Sequence, residues 1–301
     1  LKAIYLPQEF HEEALREAKW KNISFTVKGD FLFFKPEPES FSWSLCGWND
    51  LQEIQFSSIS DAAKKLRPLA KKWFHYSPEL HRRSQLIADS LREWKLEMPF
   101  AQWPEVSKEG VGAFTLTSPQ ALLWTKSFDS AFGPMPPKFM ESKEAPSRAY
   151  LKLWDAFASM GKYPKKGEQC LELGASPGGW TWVLESFGAH TIAIDRSPLR
   201  EDLVNSTLVE FQKGDAFTFS PEKVGRDIDW LVSDLICYPE KLLEFLEVWI
   251  RSEKVKNIIA TIKLQGESDP AIIAAFEKWG RVSHLLHNKN ELTFFYEKDL
   301  G

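Results

Sequence analysis

Five positions carry residue types that could do chemistry, and they recur in step along the second half of the chain: Glu172, Asp195, Asp215, Asp234 and Lys263. Each stands at or just beyond the end of a strand-like run: "QCLEL", "TIAID", "FQKGD", "WLVSD" and "IIATIK". In open α/β sheets ligands bind outside the carboxyl ends of the strands, so this series would gather four acceptors and one cation on a single rim. After the first run the chain reads Gly174-Ala175-Ser176-Pro177-Gly178-Gly179-Trp180. That loop is no P-loop, since no Gly-Lys-Ser/Thr follows, and it is not GxGxxG. A pyrophosphate asks for N–H groups at a helix N-terminus, and Pro177 removes one of them. What remains suits a ligand without phosphate that offers amino, hydroxyl and adenine groups to carboxylates. S-adenosylmethionine is such a ligand. In this reading Asp195 takes the ribose hydroxyls, Asp215 faces the adenine amino group and Asp234 faces the methionine end. Glu172, Gly174, Ser176, Pro177, Gly178, Gly179 and Trp180 complete the cofactor set.

These side chains need a frame. From Ala149 onward, apolar runs at 169–173, 190–195, 228–234 and 257–263 are separated by helical stretches at 179–188, 199–205, 238–252 and 269–279. Strands alternating with helices predict a mostly parallel sheet covered by helices. "RVSHLLH" and "ELTFFYE", joined by "NKN", read as an antiparallel hairpin. It completes a Rossmann-like, seven-stranded α/β sheet with a reversed edge. Residues 1–128 read as a smaller α+β domain, with strand-like runs (AIYL, ISFTV, FLFF, FSWSL, AFTLT, ALLW) among helical stretches around 9–20, 60–75 and 80–96. "KGD" marks a tight hairpin because Gly29 supplies positive φ. Four prolines in 132–148 place a linker at 129–148, ahead of the α/β domain at 149–301.

The 301 residues allow two domains, and 43% hydrophobic with 27% charged residues describe a globular chain with a real core. A net charge of −4 excludes a general polyanion binder, so nucleic-acid contacts require a local basic patch. Residues 64–83 provide one candidate, with seven Lys/Arg against one acid and Trp73, Phe74 and Tyr76 interleaved. Lys71 and Lys72 would contact RNA phosphates there, and the rings would stack on bases. A helix with a basic outer face and an aromatic core face gives the same string, and both readings stand. Lys138, Lys143 and Arg148 form a second candidate patch. Three widely spaced cysteines without CxxC point to a reducing compartment with no disulfide framework. Cys237 has no His companion and reads as inert, and the six His show no metal-ligand spacing, so no metal is expected. The chain begins at Leu1 rather than Met, has no apolar run of membrane-spanning length and no signal-peptide pattern. The expectation is a cytoplasmic monomer with no membrane partner.

Taken together, "SRAYLKL", "LGASPGGWTW", "VSDL", "IKL" and "NELT" make residues 143–297 resemble the FtsJ/RrmJ-like ribose 2′-O-methyltransferases, most closely the RlmM branch that modifies large-subunit ribosomal RNA. The resemblance implies a methyltransferase domain that uses S-adenosylmethionine, with RNA, ribosomal RNA in particular, as its substrate. It implies a catalytic Lys-Asp-Lys-Glu tetrad, which falls on Lys152, Asp234, Lys263 and Glu291. Two departures stand out: Glu172 replaces the Asp often found there, and "LQGES" after Lys263 is less basic than is usual in that branch. The branch also carries an N-terminal RNA-binding region related to THUMP domains, with which the first 128 residues are compatible. A ribose hydroxyl must lose its proton as it attacks a methyl group, and Lys263 can accept it only when neutral, so its pKa must fall. Burial and Lys152 would lower it, whereas Asp234 and Glu291 would raise it while orienting both lysines. Two other functions fit the same fold: an RNA-binding protein with a vestigial cofactor site, and a methyltransferase acting on another substrate. Asp234-Leu235-Ile236-Cys237 weakens the second, because base and protein N-methylation use an Asn/Asp-Pro-Pro-Tyr/Phe loop there.

Overall fold

The computed structural model describes all residues except 37, 39, 96, 99–108, 131, 137 and 299–301, and leaves out the side chains of 97, 98 and 138. The chain forms two compact units, Leu1–Met140 and Glu141–Gly301, divided within the proline-rich stretch.

In the first unit, β1 (Lys2–Tyr5), β2 (Phe25–Lys28), β3 (Phe31–Phe34) and β4 (Cys46–Asn49) form an antiparallel sheet. The β2–β3 turn is the hairpin expected at "KGD", with Gly29 at φ 58°. A second sheet holds β5 (Gln52–Gln55), β6 (Lys72–His75) and the later long hairpin. Helices α1 (His11–Trp20), α2 (Ile59–Leu66) and α3 (His81–Ala88) complete the unit, together with β7 (Glu97–Met98), β8 (Val111–Ser118), β9 (Ala121–Thr125), β10 (Ser127–Phe128) and β11 (Lys138–Phe139). The unit corrects three expectations. "FSWSL" is not a strand; pairing begins one residue later, at Cys46. The helix from about residue 80 ends at Ala88, well short of 96. The helix expected over 60–75 stops at Leu66, because Pro68 follows and disfavours helical backbone just before it. The chain then re-enters as β6, parallel to β8, and strand periodicity sends Trp73 inward, where it is 2% exposed among Phe114, Leu122 and Trp124. Phe74 and Tyr76 pack against the neighbouring cluster around Trp48 and Phe31. Trp73 is therefore a core residue, which burial removes from base stacking, whereas Phe74 and Tyr76 are half-buried against that cluster.

The second unit opens with α4 (Tyr150–Met160) and then follows the expected alternation. Its elements are β12 (Gln169–Leu173), α5 (Gly179–Ser186), β13 (His190–Asp195), α6 (Glu201–Val204), β14 (Val209–Lys213), α7 (Pro221–Val224), β15 (Ile228–Ser233), α8 (Pro239–Arg251), β16 (Val255–Lys263), α9 (Pro270–Glu277), β17 (Arg281–Ser283) and β18 (Glu291–Glu297). They form one seven-stranded sheet of order β14-β13-β12-β15-β16-β18-β17. The first five strands pair in parallel, and β18 runs antiparallel to both of its neighbours. The final hairpin thus inserts its second strand next to β16 and leaves the three-residue β17 at the edge. The burial pattern explains the choice: Glu291 through Phe295 are all buried, and such a strand needs partners on both sides. A short edge strand also offers little unpaired backbone.

The strand order reverses between β12 and β15, which opens the crevice where open α/β sheets bind ligands. Gly174, just past β12, has φ 80°, and a Cβ there would stand 3.1 Å from the Leu235 side chain and 3.4 Å from the Leu235 nitrogen. A glycine at this point lets the loops after β12 and β15 approach each other.

Candidate active site

A cavity of about 670 Å³ lies at this reversal. Its wall includes Gly174 and Ser176 from the loop after β12, Asp195 from β13, Asp215 after β14, and Asp234 after β15. Three of the four acids in the sequence series thus meet here. Asp195 organises the loop: it accepts from the backbone N–H of Ser176 (3.0 Å) and of Ser197 (2.8 Å). Asp215 accepts from the Phe217 N–H (3.1 Å) and from the Arg196 guanidinium (2.5 Å). Those two partners, the backbone N–H first, hold its carboxyl below the usual carboxylate range. Phe217, Leu235, Ile236 and Tyr238 add apolar surface, which a charge at a strand end does not signal. Their signal was adjacency: Phe217 follows Asp215 by two residues, and the other three follow Asp234.

Glu172 is placed differently. It is the fourth of five residues in β12, only 2% exposed, and takes no part in the cavity wall. The Thr181 hydroxyl of α5 donates to it over 2.6 Å. Burial, aided by the charges of Asp195 and Asp234, pushes its pKa up to about 8, so it ties strand to helix as a largely protonated acid. Pro177, Gly178, Gly179 and Trp180 also stand outside the wall. Pro177 accepts from the Arg200 N–H (3.0 Å), and Gly178 and Gly179 start α5. Trp180 is buried and donates its indole N–H to the Ala149 carbonyl (2.9 Å), anchoring the start of α4.

Beside the cavity, Lys152, Asp234, Lys263 and Glu291 form a closed ring of alternating charge. Lys263 and Glu291 are register partners across β16 and β18, and their side chains meet at 2.6 Å. Lys263 also pairs with Asp234. Lys152, from the first turn of α4, pairs with Glu291 and lies 3.6 Å from Asp234. Thr261 donates to Asp234 over 2.6 Å and fixes its rotamer, a support that the strand-end reading did not include. Asp234 and Lys263 are each 18% exposed and Glu291 only 7%, so these pairs are shielded from water in a way that surface ion pairs are not. Burial pushes the Lys263 ammonium down, but the two carboxylates push harder, and its pKa lies above the ordinary lysine value. That is opposite to the direction expected from a lysine poised as a base. With both acids within ion-pair distance, the resting ring keeps Lys263 charged.

The basic residues are distributed over both units. Lys71 and Lys72 are exposed in the first unit, at the start of β6. In the second unit Lys143 is exposed, and Arg148 pairs with Glu141 at 2.6 Å. The Lys138 side chain lies outside the described residues. Burial raises the Cys237 thiol above its ordinary value, against reactivity. Among the described residues no group of three or more His, Cys, Asp and Glu is arranged to hold a metal ion, and no helix is long and apolar enough to cross a membrane.

An acid-rimmed crevice at a sheet reversal offers acceptors to a ligand's hydroxyl and amino groups, and the lysines and acids interleaved at its side can orient a proton. Residues 145–266 match the family model described as FtsJ-like methyltransferase. The ribosomal RNA large subunit methyltransferase M of Xanthomonas axonopodis pv. citri is 29% identical over 258 residues, covering 80% of this chain and 70% of that protein. Its namesake from Xanthomonas euvesicatoria pv. vesicatoria is 30% identical over 253 residues (78% and 68%). The namesake from Halorhodospira halophila is 34% identical over 169 residues (53% and 49%). The chain belongs to the ribosomal RNA large subunit methyltransferase M family, within the FtsJ-like methyltransferases.

Proposed function

We propose that this chain uses S-adenosylmethionine to methylate a ribose 2′-hydroxyl of RNA, with large-subunit ribosomal RNA as the substrate. The observation that carries the reading is the closed ring of Lys152, Asp234, Lys263 and Glu291 directly beside the acid-lined cavity. A binding module has no use for two shielded lysines, one at a strand end and one on the facing helix, and the names of the relatives supply the class of RNA. The cavity suits the cofactor on three counts. Its volume is that of a small-molecule site, its polar groups are acceptors for hydroxyl and amino groups, and Gly174 keeps open the approach that a Cβ would crowd. Asp195 and Asp215 would hold the nucleoside part and Asp234 the methionine end. S-adenosylmethionine, when bound, supplies the methyl group and a positive charge on sulfur.

The chain's own part is to hold the ribose oxygen in line and to receive its proton. Lys263 is the group for that proton. Asp234 and Glu291 fix the direction of its ammonium, and Lys152 balances the second acid so that neither carboxylate is left buried and unpaired. Because the resting ring holds Lys263 charged, it must release a proton to solvent before it can act, and a cation brought close to it favours that release. The direct test uses labelled S-adenosylmethionine and large-subunit ribosomal RNA from a strain lacking this gene, with the product mapped by nucleotide. Label on a ribose 2′-oxygen is the expected result. Label on a base, or none while the cofactor still binds, overturns the reading.

A further inference from the structure

One face of α4 meets the β17–β18 hairpin at three points. Lys152 pairs with Glu291, Asp155 takes two hydrogen bonds from His287, and the Ser159 hydroxyl accepts from Arg281 over 3.1 Å. Positions 152, 155 and 159 are spaced by three and four residues, which puts them on one stripe of a helix. Only the first contact belongs to the charge ring. The second is the unusual one, because Asp155 is a carboxyl only 4% exposed, one turn along the helix from Lys152. Its Oδ2 accepts from the backbone N–H of His287 (3.1 Å) and from His287 Nδ1 (3.2 Å). A buried acid is retained at a cost unless hydrogen-bonded, so this pair fixes one segment of the 284–290 loop against α4. The loop is braced elsewhere as well. His284 Nε2 contacts the Lys289 carbonyl (3.1 Å), and the Asn288 amide donates to Thr293 Oγ1 (2.9 Å). The residue that follows this braced loop is Glu291.

We propose that Asp155 and His287 are positioning residues for the reaction: they lock the helix that carries Lys152 to the loop that leads into Glu291, and so set the position of Lys152 relative to Glu291 in the ring. Neither residue is one of the four in the ring, and neither is among the residues that line the cavity. The inference rests on the tetrad reading of Lys152 and Lys263. Without the Asp155 anchor the loop keeps its place in the chain but loses its fixed distance to α4, and Lys152 then shares its charge with Glu291 less consistently. Misplacement of about 1 Å in a positioned group can lower turnover by about 100-fold.

The experiment measures methyl transfer by the full chain to large-subunit ribosomal RNA transcribed in vitro, alongside thermal stability and S-adenosylmethionine affinity. His287→Ala is expected to lower kcat by about tenfold or more, within the range that misplacement produces, with KM for RNA and cofactor affinity nearly unchanged. His287→Asn, whose amide nitrogen occupies the place of Nδ1, is expected to recover most of kcat. Asp155→Asn keeps an acceptor in the same shape and serves as a second variant should His287→Ala fold poorly; a smaller fall in kcat is expected. A folded His287→Ala with wild-type kcat, or a His287→Asn no better than Ala, overturns the positioning role. Lys152→Ala and Lys263→Ala run in parallel separate the two ideas: if they abolish transfer while His287→Ala does not, the tetrad stands and the brace falls. If they leave transfer intact, the tetrad reading itself is wrong.

Discussion

The cavity and the charge ring lie side by side at one end of the same sheet, yet they treat charge in opposite ways. In the cavity, Asp195 and Asp215 are held by backbone N–H groups and an exposed arginine, which leaves acceptor capacity facing a ligand. In the ring, every charge is answered by another side chain of the chain itself. An acid that waits for a ligand stays hydrated and loosely balanced. An acid that steers a lysine is shielded and fully paired. Thus two sets of carboxylates at neighbouring strand ends stand in different electrostatic settings, and the partners, more than the residue type, decide which.

The comparison can be broken most sharply at Lys263. Lys263→Ala is expected to reduce methyl transfer by about 100- to 10,000-fold, the range for a lost general base, while calorimetry finds S-adenosylmethionine binding nearly intact. The wild-type rate should also climb by about tenfold per pH unit through neutral and mildly alkaline pH, because only the neutral amine accepts a proton and the ring holds its pKa above the ordinary lysine value. A rate that levels off near neutral pH would assign the proton to another group. Asp195→Ala is expected to act the other way, weakening cofactor affinity by about 10- to 100-fold through lost hydrogen bonds, with a much smaller change in kcat at saturating cofactor. An equal loss in both measurements would erase the distinction between cavity and ring.

The smallest effect on activity is expected at Glu172, which belongs to neither region. Its folded pKa of about 8 lies above the usual 4.5, so the native state binds the proton more tightly than the unfolded chain does. The stability it contributes is complete below about pH 4.5 and is lost as pH rises towards 8. Glu172→Gln keeps an acceptor for Thr181 without the titration. Thermal melts should therefore show the variant more stable than wild type at pH 8 and above, by an amount approaching about 1.4 kcal/mol per pH unit of displacement, and the gap should close near pH 4. Loss of cofactor binding in Glu172→Gln would return this residue to the cavity.

The alternation of strands and helices and the rim acids were legible because each follows from a local pattern: apolar runs, and a charge at the end of a run. Glu172 shows where that logic stops. A charge one residue before the end of a strand points into the structure instead of over its rim, and a one-residue distinction decides which face a side chain takes. The helix over 60–75 failed for a related reason, since the outward Lys72 and inward Trp73 alternate as a strand does, which a count of basic and aromatic residues does not register. Thr261 and the Asp155–His287 contact could not be found by spacing at all. They depend on long-range pairing between elements up to 132 residues apart in sequence.

The insertion of β18 between β16 and β17 has a consequence for how the site is supplied with groups. Every parallel strand reaches the working end of the sheet with its last residue: Asp195 and Lys263 are such residues, whereas Asp215 and Asp234 stand in the loops that follow. The one strand running the other way arrives with its first residue, Glu291, already hydrogen-bonded into the ladder opposite Lys263. The alignment of that acid with Lys263 is therefore set by sheet register, and its distance to Lys152 depends on how α4 is held to the hairpin. Motion of the surrounding loops can open or reshape the cavity without changing the alignment of the Lys263–Glu291 pair.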